Sequence, residues 1–125
     1  MEKQVISATP ETPEIILDYE NGFMSIKGRS FSEKTVEFYE PIFDWVTAYF
    51  KSPQTQTVIE LEIEFLNSSS NKLINDLLKK IKASAVSKNN ILVRWKYQKD
   101  DEDILFYGRD LEEYSGLTFE YVALG

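Results

Sequence analysis

The chain has 125 residues and a net charge of −7, and aromatic residues make up 14% of it. This length and composition predict one packed domain rather than a disordered tail. The sequence contains no cysteine and no histidine, which excludes disulfides, thiolate or imidazole metal sites, cysteine nucleophiles and the commonest catalytic base.

The negative charge and the N-terminus bear on partners and location. Nucleic acids and anionic membrane surfaces attract positively charged proteins, so neither is expected as a partner. Residues 1–11 lack the basic stretch and apolar core of a signal peptide, and no apolar run is long enough to cross a bilayer. We therefore expect a cytoplasmic protein that binds other proteins.

The first elements in chain order form a hairpin. A polar lead-in with two Thr-Pro pairs precedes a strand predicted over residues 15–19. Asn21-Gly22 is a strong turn signal, because both residue types tolerate the positive φ of a tight turn. The return strand is predicted over residues 23–27 and ends at Gly28.

A first helix is predicted over residues 33–50, with Ser32 as its cap and Pro41 as an interruption. Proline is tolerated in the first turn of a helix but not in its interior. We therefore expect either a short turn followed by a main helix from the proline, or one helix kinked there. Tyr39 and Phe43 fall off the core stripe of the main helix and are predicted to form an exposed aromatic patch. The stripe itself has helical spacing and consists of Ile42, Trp45, Val46, Tyr49 and Phe50.

The next two elements are a strand and a second helix. Residues 57–65 alternate between apolar and polar side chains, which predicts a strand with one face in the core and glutamates on a wet face. The predicted core face consists of Ile59, Leu61, Ile63 and Phe65. The polar run 67–71 then opens a helix whose apolar face consists of Leu73, Ile74, Leu77, Leu78 and Ile81.

The C-terminal part supplies two more strands and a third helix. Strands are predicted over residues 91–97 and 118–124, and the acidic run Asp100–Asp103 starts a helix punctuated by Gly108 and Gly116. This order predicts an α/β (α+β) fold with a single mixed sheet of about five strands and three helices packed on it. We expect one regulatory domain over residues 1–125.

The serine run Ser68–Ser70 is the strongest candidate for a functional site. It follows the carboxyl end of a predicted strand and opens a helix, where α/β folds place ligands and where the helix dipole favours an anion. A phosphate there would be tolerated by the fold and would disrupt the docking of a partner. Spacing alone favours the simpler alternative that these residues cap the helix.

Two other patterns could indicate catalysis. The Asp100–Asp103 run could hold a divalent cation, but it lacks the glycine of a calcium loop, so a solvated helix N-terminus is preferred. A metal-dependent enzyme using this run is kept as the weaker alternative. Ser70 with Lys72 or Lys79 lacks the nucleophile elbow of a hydrolase. We predict no catalytic residue, no metal and no cofactor.

Several segments distributed over nearly the whole chain carry a family resemblance. They are Ala8–Pro13, Gly28–Phe31, Val36–Trp45, Asn67–Ser70, Asp100–Asp103 and Gly108–Glu113. Together they resemble the SiaC family of bacterial biofilm-regulation phosphoproteins. The resemblance implies a STAS-like fold and a partner-switching role similar to that of anti-sigma-factor antagonists.

The resemblance also implies a set of partners. A serine/threonine kinase of the histidine-kinase-like ATPase fold would phosphorylate the strand–helix junction, and a PP2C-type phosphatase would remove the phosphate. The unphosphorylated protein would bind and activate a diguanylate cyclase, raising cyclic-di-GMP and promoting biofilm formation. The threonine that the family modifies falls on Ser68, with Ser69 and Ser70 as alternatives.

Further residues are assigned to partner binding. Asn67 and Ser69 are expected to shape the helix N-terminus around the phosphorylation site, while Tyr39, Glu40 and Phe43 are expected to form a docking face. The alternative function is a constitutive protein-binding scaffold without a phosphoswitch.

Overall fold

A computed structural model describes residues 1–85 and 89–125. The elements, in chain order, are β1 (Gln4–Ile6), β2 (Glu14–Asp18), β3 (Phe23–Ser30), α1 (Thr35–Tyr49), β4 (Gln56–Leu66), α2 (Ser68–Ser84), β5 (Asn90–Gln98), α3 (Glu102–Ser115) and β6 (Thr118–Leu124). Within the described residues, six strands form one sheet with three helices, which confirms the predicted fold class. The additional strand is β1, which forms inside the lead-in that was predicted to be merely extended.

The sheet is mixed, and its strands lie side by side in sequence order. The pairs β1–β2 and β2–β3 are antiparallel, whereas β3, β4, β5 and β6 are mutually parallel. Each parallel connection contains one helix, and right-handed crossovers that advance in one direction place all three helices on the same face. No helix in the described part of the chain is long and apolar enough to cross a membrane.

The core lies between the helices and the inner face of the sheet. The apolar stripes predicted for α1 and α2 are buried, except that Phe50 and Leu73 are only half-buried. The buried helix residues are Ile42, Trp45, Val46, Tyr49, Ile74, Leu77, Leu78 and Ile81. Opposite them the strands contribute Ile15, Leu17, Met24, Ile26, Ile59, Leu61, Ile63, Val93 and Trp95.

Helix α1 runs unbroken through Pro41. The prediction of a main helix beginning at the proline is therefore wrong, whereas the continuity of the helix agrees with the alternative of one helix kinked at Pro41. Pro41 and Glu37 are both exposed, so water can hydrate the Glu37 carbonyl that lacks its usual N–H donor. Ser32 does not cap this helix, because its hydroxyl accepts the N–H of Lys34 (3.0 Å), one residue before the first helical position.

The β2–β3 hairpin and the ends of α3 follow the sequence signals with two corrections. Asp18 pairs with Phe23 across the turn, and only Gly22 there has a positive φ (+58°), so Asn21 does not need one. Gly108 lies inside α3 rather than interrupting it, and Gly116 ends the helix at a φ of +75°.

The pairing of β3 with β4 contains a β-bulge. Gly28 pairs with Ile63 and Arg29 with Phe65, so Glu64 is an extra residue on β4. The extra residue reverses the alternation of side chains beyond it. The prediction that Phe65 faces the core is therefore wrong, and its side chain is 48% exposed on the outer face.

Replacing Gly28 with alanine is expected to destabilise the protein by about 1–2 kcal/mol. Gly28 has a φ of +124° beside the bulge, and an added Cβ would meet only the Cα of Pro13 at 3.6 Å. The cost therefore comes from the backbone conformation and not from crowding. Urea unfolding measures it, with Lys27→Ala as the exposed neighbouring control. Equal stability of the two variants would contradict the strained φ.

Among the described residues no helix covers the outer face of the sheet, and this face bears a charge network, which agrees with the predicted wet face of β4. Glu60 forms ion pairs with Arg94 (3.1 Å) and Lys96 (2.9 Å) from the neighbouring strand. Burial alone would raise the pKa of Glu60, but the hydrogen bonds from Lys96 and Arg94 outweigh it and hold this pKa below its usual value.

Candidate functional site

The junction between β4 and α2 is built around Asn67. The Oδ1 atom of Asn67 accepts the N–H of Ser70 (2.9 Å), which makes Asn67 the N-cap of α2. Its own N–H donates to the carbonyl of Ser30 (3.0 Å) at the end of β3. Because the asparagine caps the helix and fastens it to the sheet, the three serines that follow are not needed as the cap.

The three serines differ in their accessibility. Ser68 and Ser69 are exposed, whereas Ser70 is fully buried (0% exposed). Within residues 1–85 and 89–125, the hydroxyls of Ser68 and Ser69 form no hydrogen bond to the protein. Ser68 and Ser69 therefore present free hydroxyls to an enzyme, and Ser70 does not.

Ser70 belongs to a buried chain of three hydroxyls. Ser30 Oγ donates to Ser70 Oγ (2.7 Å), and since a serine hydroxyl carries one proton, Tyr39 must donate to Ser30 Oγ (2.8 Å). Burial raises the pKa of Tyr39 to about 12, so its hydroxyl stays protonated. The chain links α1, β3 and the first turn of α2.

The prediction that Tyr39 is an exposed aromatic residue is therefore wrong. Its side chain is fully buried. A core stripe that begins at Pro41 leaves Tyr39 out, but an unbroken helix places Tyr39 in line with Ile42 and Val46, at helical spacings of three and seven residues. Inside the fold, the Tyr39 hydroxyl bonds to Ser30, which in turn bonds to Ser70 of the serine run.

Glu40 and Phe43 do lie at the surface, in a shallow groove between α1 and α2. Glu40 is exposed and Phe43 is half-buried. The groove has a volume of about 290 Å³ and is also lined by Val36, Leu73, Asp76 and the edge of Tyr39. Val36 is 66% exposed; the sequence reasoning missed it, although an unbroken α1 would have placed it on one face with Glu40 and Phe43.

A second, larger groove separates α2 from α3. It has a volume of about 660 Å³, and two carboxylates, Asp110 and Glu113, make its wall negative. Asn71 also lines this groove, and its Oδ1 accepts hydrogen bonds from Tyr107 (2.5 Å) and Asn75 (2.9 Å). Burial raises the pKa of Tyr107, which keeps this hydroxyl a neutral donor.

The two exposed serines lie on different sides of α2. Ser68 shares the side of Asn71, which lines the α2–α3 groove, because three residues separate them. Ser69 shares the side of Leu73 and Asp76, which line the α1–α2 groove. The first turn of α2 therefore lies between the two grooves. A phosphate on Ser68 or Ser69 would add negative charge at this position.

The acidic run Asp100–Asp103 forms the N-terminal cap and first turn of α3. Asp101 Oδ1 accepts the N–H of Ile104 (3.1 Å), and Glu102 and Asp103 occupy the first turn, where the helix dipole favours negative charge. Among residues 1–85 and 89–125, no group of three acidic side chains is arranged to hold a metal ion. The geometry thus favours the helix N-terminus interpretation over a metal site.

Comparison with known proteins identifies the family. Residues 6–124 match the model of the SiaC family regulatory phosphoprotein. The chain belongs to the SiaC family. It is also 26% identical over 114 residues to an uncharacterized protein of Pseudomonas aeruginosa strain UCBPP-PA14, an alignment that covers 91% of this chain and 90% of that protein.

Solved structures agree with SiaC family membership. Apo-SiaC from Pseudomonas aeruginosa superposes with a TM-score of 0.87 at 26% identity, covering 98% of this chain and 100% of that one. A chain in the crystal structure of the diguanylate cyclase SiaD in complex with its activator SiaC gives a TM-score of 0.89 at 25% identity, with coverages of 97% and 99%. Membership of the SiaC family makes this chain a regulatory protein and not an enzyme, as predicted.

Proposed function

We propose that this SiaC-family chain is a partner-switching protein that binds and activates a diguanylate cyclase when Ser68 is unphosphorylated. In this proposal a kinase of the histidine-kinase-like ATPase fold adds the phosphate and a PP2C-type phosphatase removes it. The family match and the similarity to SiaC in its complex with the cyclase SiaD support a cyclase as the partner. The consequence of activation would be more cyclic-di-GMP and more biofilm.

The family resemblance points to Ser68, and one observation supports it. Its hydroxyl is exposed in the first turn of α2, while Asn67 performs the capping and Ser70 is buried. A kinase can therefore reach Ser68 without opening the domain. Ser69 meets the same condition and stays the alternative acceptor, whereas burial argues against Ser70.

The phosphate would act on docking more than on folding. It brings a charge of about −1.5 to −2. At a helix N-terminus this charge is favourable by about 0.3–1 kcal/mol, whereas an unpaired charge buried against a partner costs several kcal/mol, as an order of magnitude. The wall of the α2–α3 groove carries the carboxylates Asp110 and Glu113, and Lys72, one turn beyond Ser68 on α2, is already paired with Asp76 (2.9 Å).

The proposed docking face is the α1–α2 groove together with the first turn of α2. The α1 side of this face consists of Val36, Glu40 and Phe43. The part at the start of α2 consists of Asn67 and Ser69. Apolar side chains surrounded by acidic ones suit a partner surface with apolar anchors and a polar rim. Tyr39 lines the groove but is fully buried, so it positions this face and offers no exposed surface to a partner.

A cyclase assay tests the proposal. Each diguanylate cyclase of the source organism is purified and its cyclic-di-GMP production measured with and without the unphosphorylated chain. We expect one cyclase to be stimulated, and Ser68→Asp to weaken its binding at least about tenfold, the equivalent of 1.4 kcal/mol. Ser68→Ala should bind as the unmodified protein does.

A charge control and a mass measurement complete the test. Ser7→Asp adds the same charge at an exposed position outside α2 and should leave binding unchanged. Peptide mapping of the protein from its native host should locate a phosphate on Ser68. If Ser68→Asp kept full binding, the switch would be wrong, and the chain would be the constitutive scaffold of the alternative.

A further inference from the structure

The β-bulge exposes an aromatic pair on the outer face of the sheet. The extra residue in β4 turns Phe65 outward, beside Phe31, and their ring centroids lie 5.6 Å apart in an edge-to-face arrangement. A phenylalanine that would otherwise be buried is thus 48% exposed. Bulges commonly redirect side chains at functional surfaces.

Arg29 completes this group, which we call the arginine cluster (Arg29, Phe31 and Phe65). The guanidinium carbon of Arg29 lies 5.6 Å from the ring centroid of Phe31 and 5.9 Å from that of Phe65. Within the described residues Arg29 forms no salt bridge, although other basic side chains of this acidic protein do. Stacking orders the guanidinium and leaves its N–H groups available to an incoming anion.

The cluster lies at the same end of the sheet as the serine run. The hydrogen bond from Asn67 N–H to the Ser30 carbonyl (3.0 Å) joins the chain one residue after Arg29 to the chain one residue before Ser68. Phe65 belongs to the end of β4, three residues before Ser68. The arginine cluster and the proposed phosphorylation site are therefore neighbours at the carboxyl ends of β3 and β4.

We infer that the arginine cluster docks an acidic segment of the partner protein, in which a carboxylate lies next to an apolar side chain. This inference rests on the proposed function, since it names the chemistry of the bound partner. The guanidinium pairs with the carboxylate and the exposed rings receive the apolar side chain, a combination typical of interface hot spots. A phosphate on Ser68 repels such an acidic segment, so phosphorylation weakens the binding of the partner.

A peptide titration followed by NMR tests the inference without any cyclase. The probe is an acetylated, amidated pentapeptide, Glu-Phe-Asp-Leu-Glu, and its neutral counterpart is Gln-Phe-Asn-Leu-Gln. We expect backbone amide shifts from the acidic peptide at residues 29–31 and 64–66, and about fivefold weaker binding to Arg29→Gln and Phe65→Ala. Both positions are at the surface, so both variants should fold.

A matched control is available on α3. Arg109 stacks over the exposed Phe106 at 5.8 Å from its ring centroid, so Arg109→Gln removes the same kind of contact from the helix layer. It should change binding by less than about twofold. Equal binding of the two peptides, the same shifts with inorganic phosphate alone, or undiminished binding to Arg29→Gln would overturn the inference. The outcome is independent of whether any cyclase is stimulated, so the two proposals can fail separately.

Discussion

Replacing Gly108 with alanine is expected to lower the stability of the domain by about 2 kcal/mol or more. An added Cβ would lie 2.5 Å from Nε1 of Trp95 and 2.6 Å from its Cε2. The indole is fully buried and donates to the Ile104 carbonyl (3.1 Å), so it cannot move aside without losing this bond. The crowding outweighs the gain of about 1 kcal/mol that alanine usually brings inside a helix.

Thermal unfolding followed by circular dichroism measures this effect, which corresponds to a decrease in Tm of roughly 6–12 °C for a domain of this size. Arg109→Ala, at the exposed neighbouring position, is the control and should stay within about 0.5 kcal/mol of the parent protein. In a Trp95→Phe background, which removes the crowded indole atoms, Gly108→Ala should cost less. An equal cost in both backgrounds would show that the close approach of α3 to Trp95 is not the cause.

Aspartate is expected to have opposite effects at two positions of the serine run. At Ser70 a carboxylate would be fully buried with one hydroxyl, that of Ser30, as its hydrogen-bond donor. Burying a charge with so little compensation costs several kcal/mol, which approaches the whole stability of a domain, roughly 5–15 kcal/mol. At Ser68 the carboxylate is exposed at a helix N-terminus and should be neutral or favourable by up to about 1 kcal/mol.

Urea unfolding of Ser68→Asp and Ser70→Asp compares the two positions directly. Ser70→Ala is the second variant, because it removes one buried hydrogen bond without adding charge and should cost about 1–2 kcal/mol. A Ser70→Asp protein as stable as the parent would disprove the buried hydroxyl chain of Ser70, Ser30 and Tyr39. The expected result leaves Ser68 and Ser69 as the positions that can carry a phosphate in the folded protein.

At the junction of β4 with α2, the groups that stabilise the fold differ from the hydroxyl that is proposed to be phosphorylated. Asn67 holds the helix start by its side chain and holds β3 by its N–H group. The hydroxyl of Ser68 is therefore not needed for the fold and can be modified. This arrangement suits a protein that must stay folded in both states of a switch.

Local patterns of residues are enough to predict the helices, most of the strands and the position of the serine run. Apolar spacings of two and of three to four residues depend on local geometry, so α2 and β6 could be predicted closely. The junction of β4 with α2 followed from the same patterns, and the family resemblance pointed to Ser68.

Which side chains are accessible at that junction depends on the packing of the folded chain. The unbroken α1 buries Tyr39, the extra residue in β4 exposes Phe65, and packing against Ser30 removes Ser70 from solvent. The pairing of β1 with β2 likewise turned a polar lead-in into an edge strand. The bulge, the burial of Ser70 and the pairing of β1 depend on contacts between segments distant in the chain, and such contacts leave no periodic signal in the local sequence. Tyr39 does have helical spacing to Ile42 and Val46, but that spacing predicts burial only if the helix continues through Pro41.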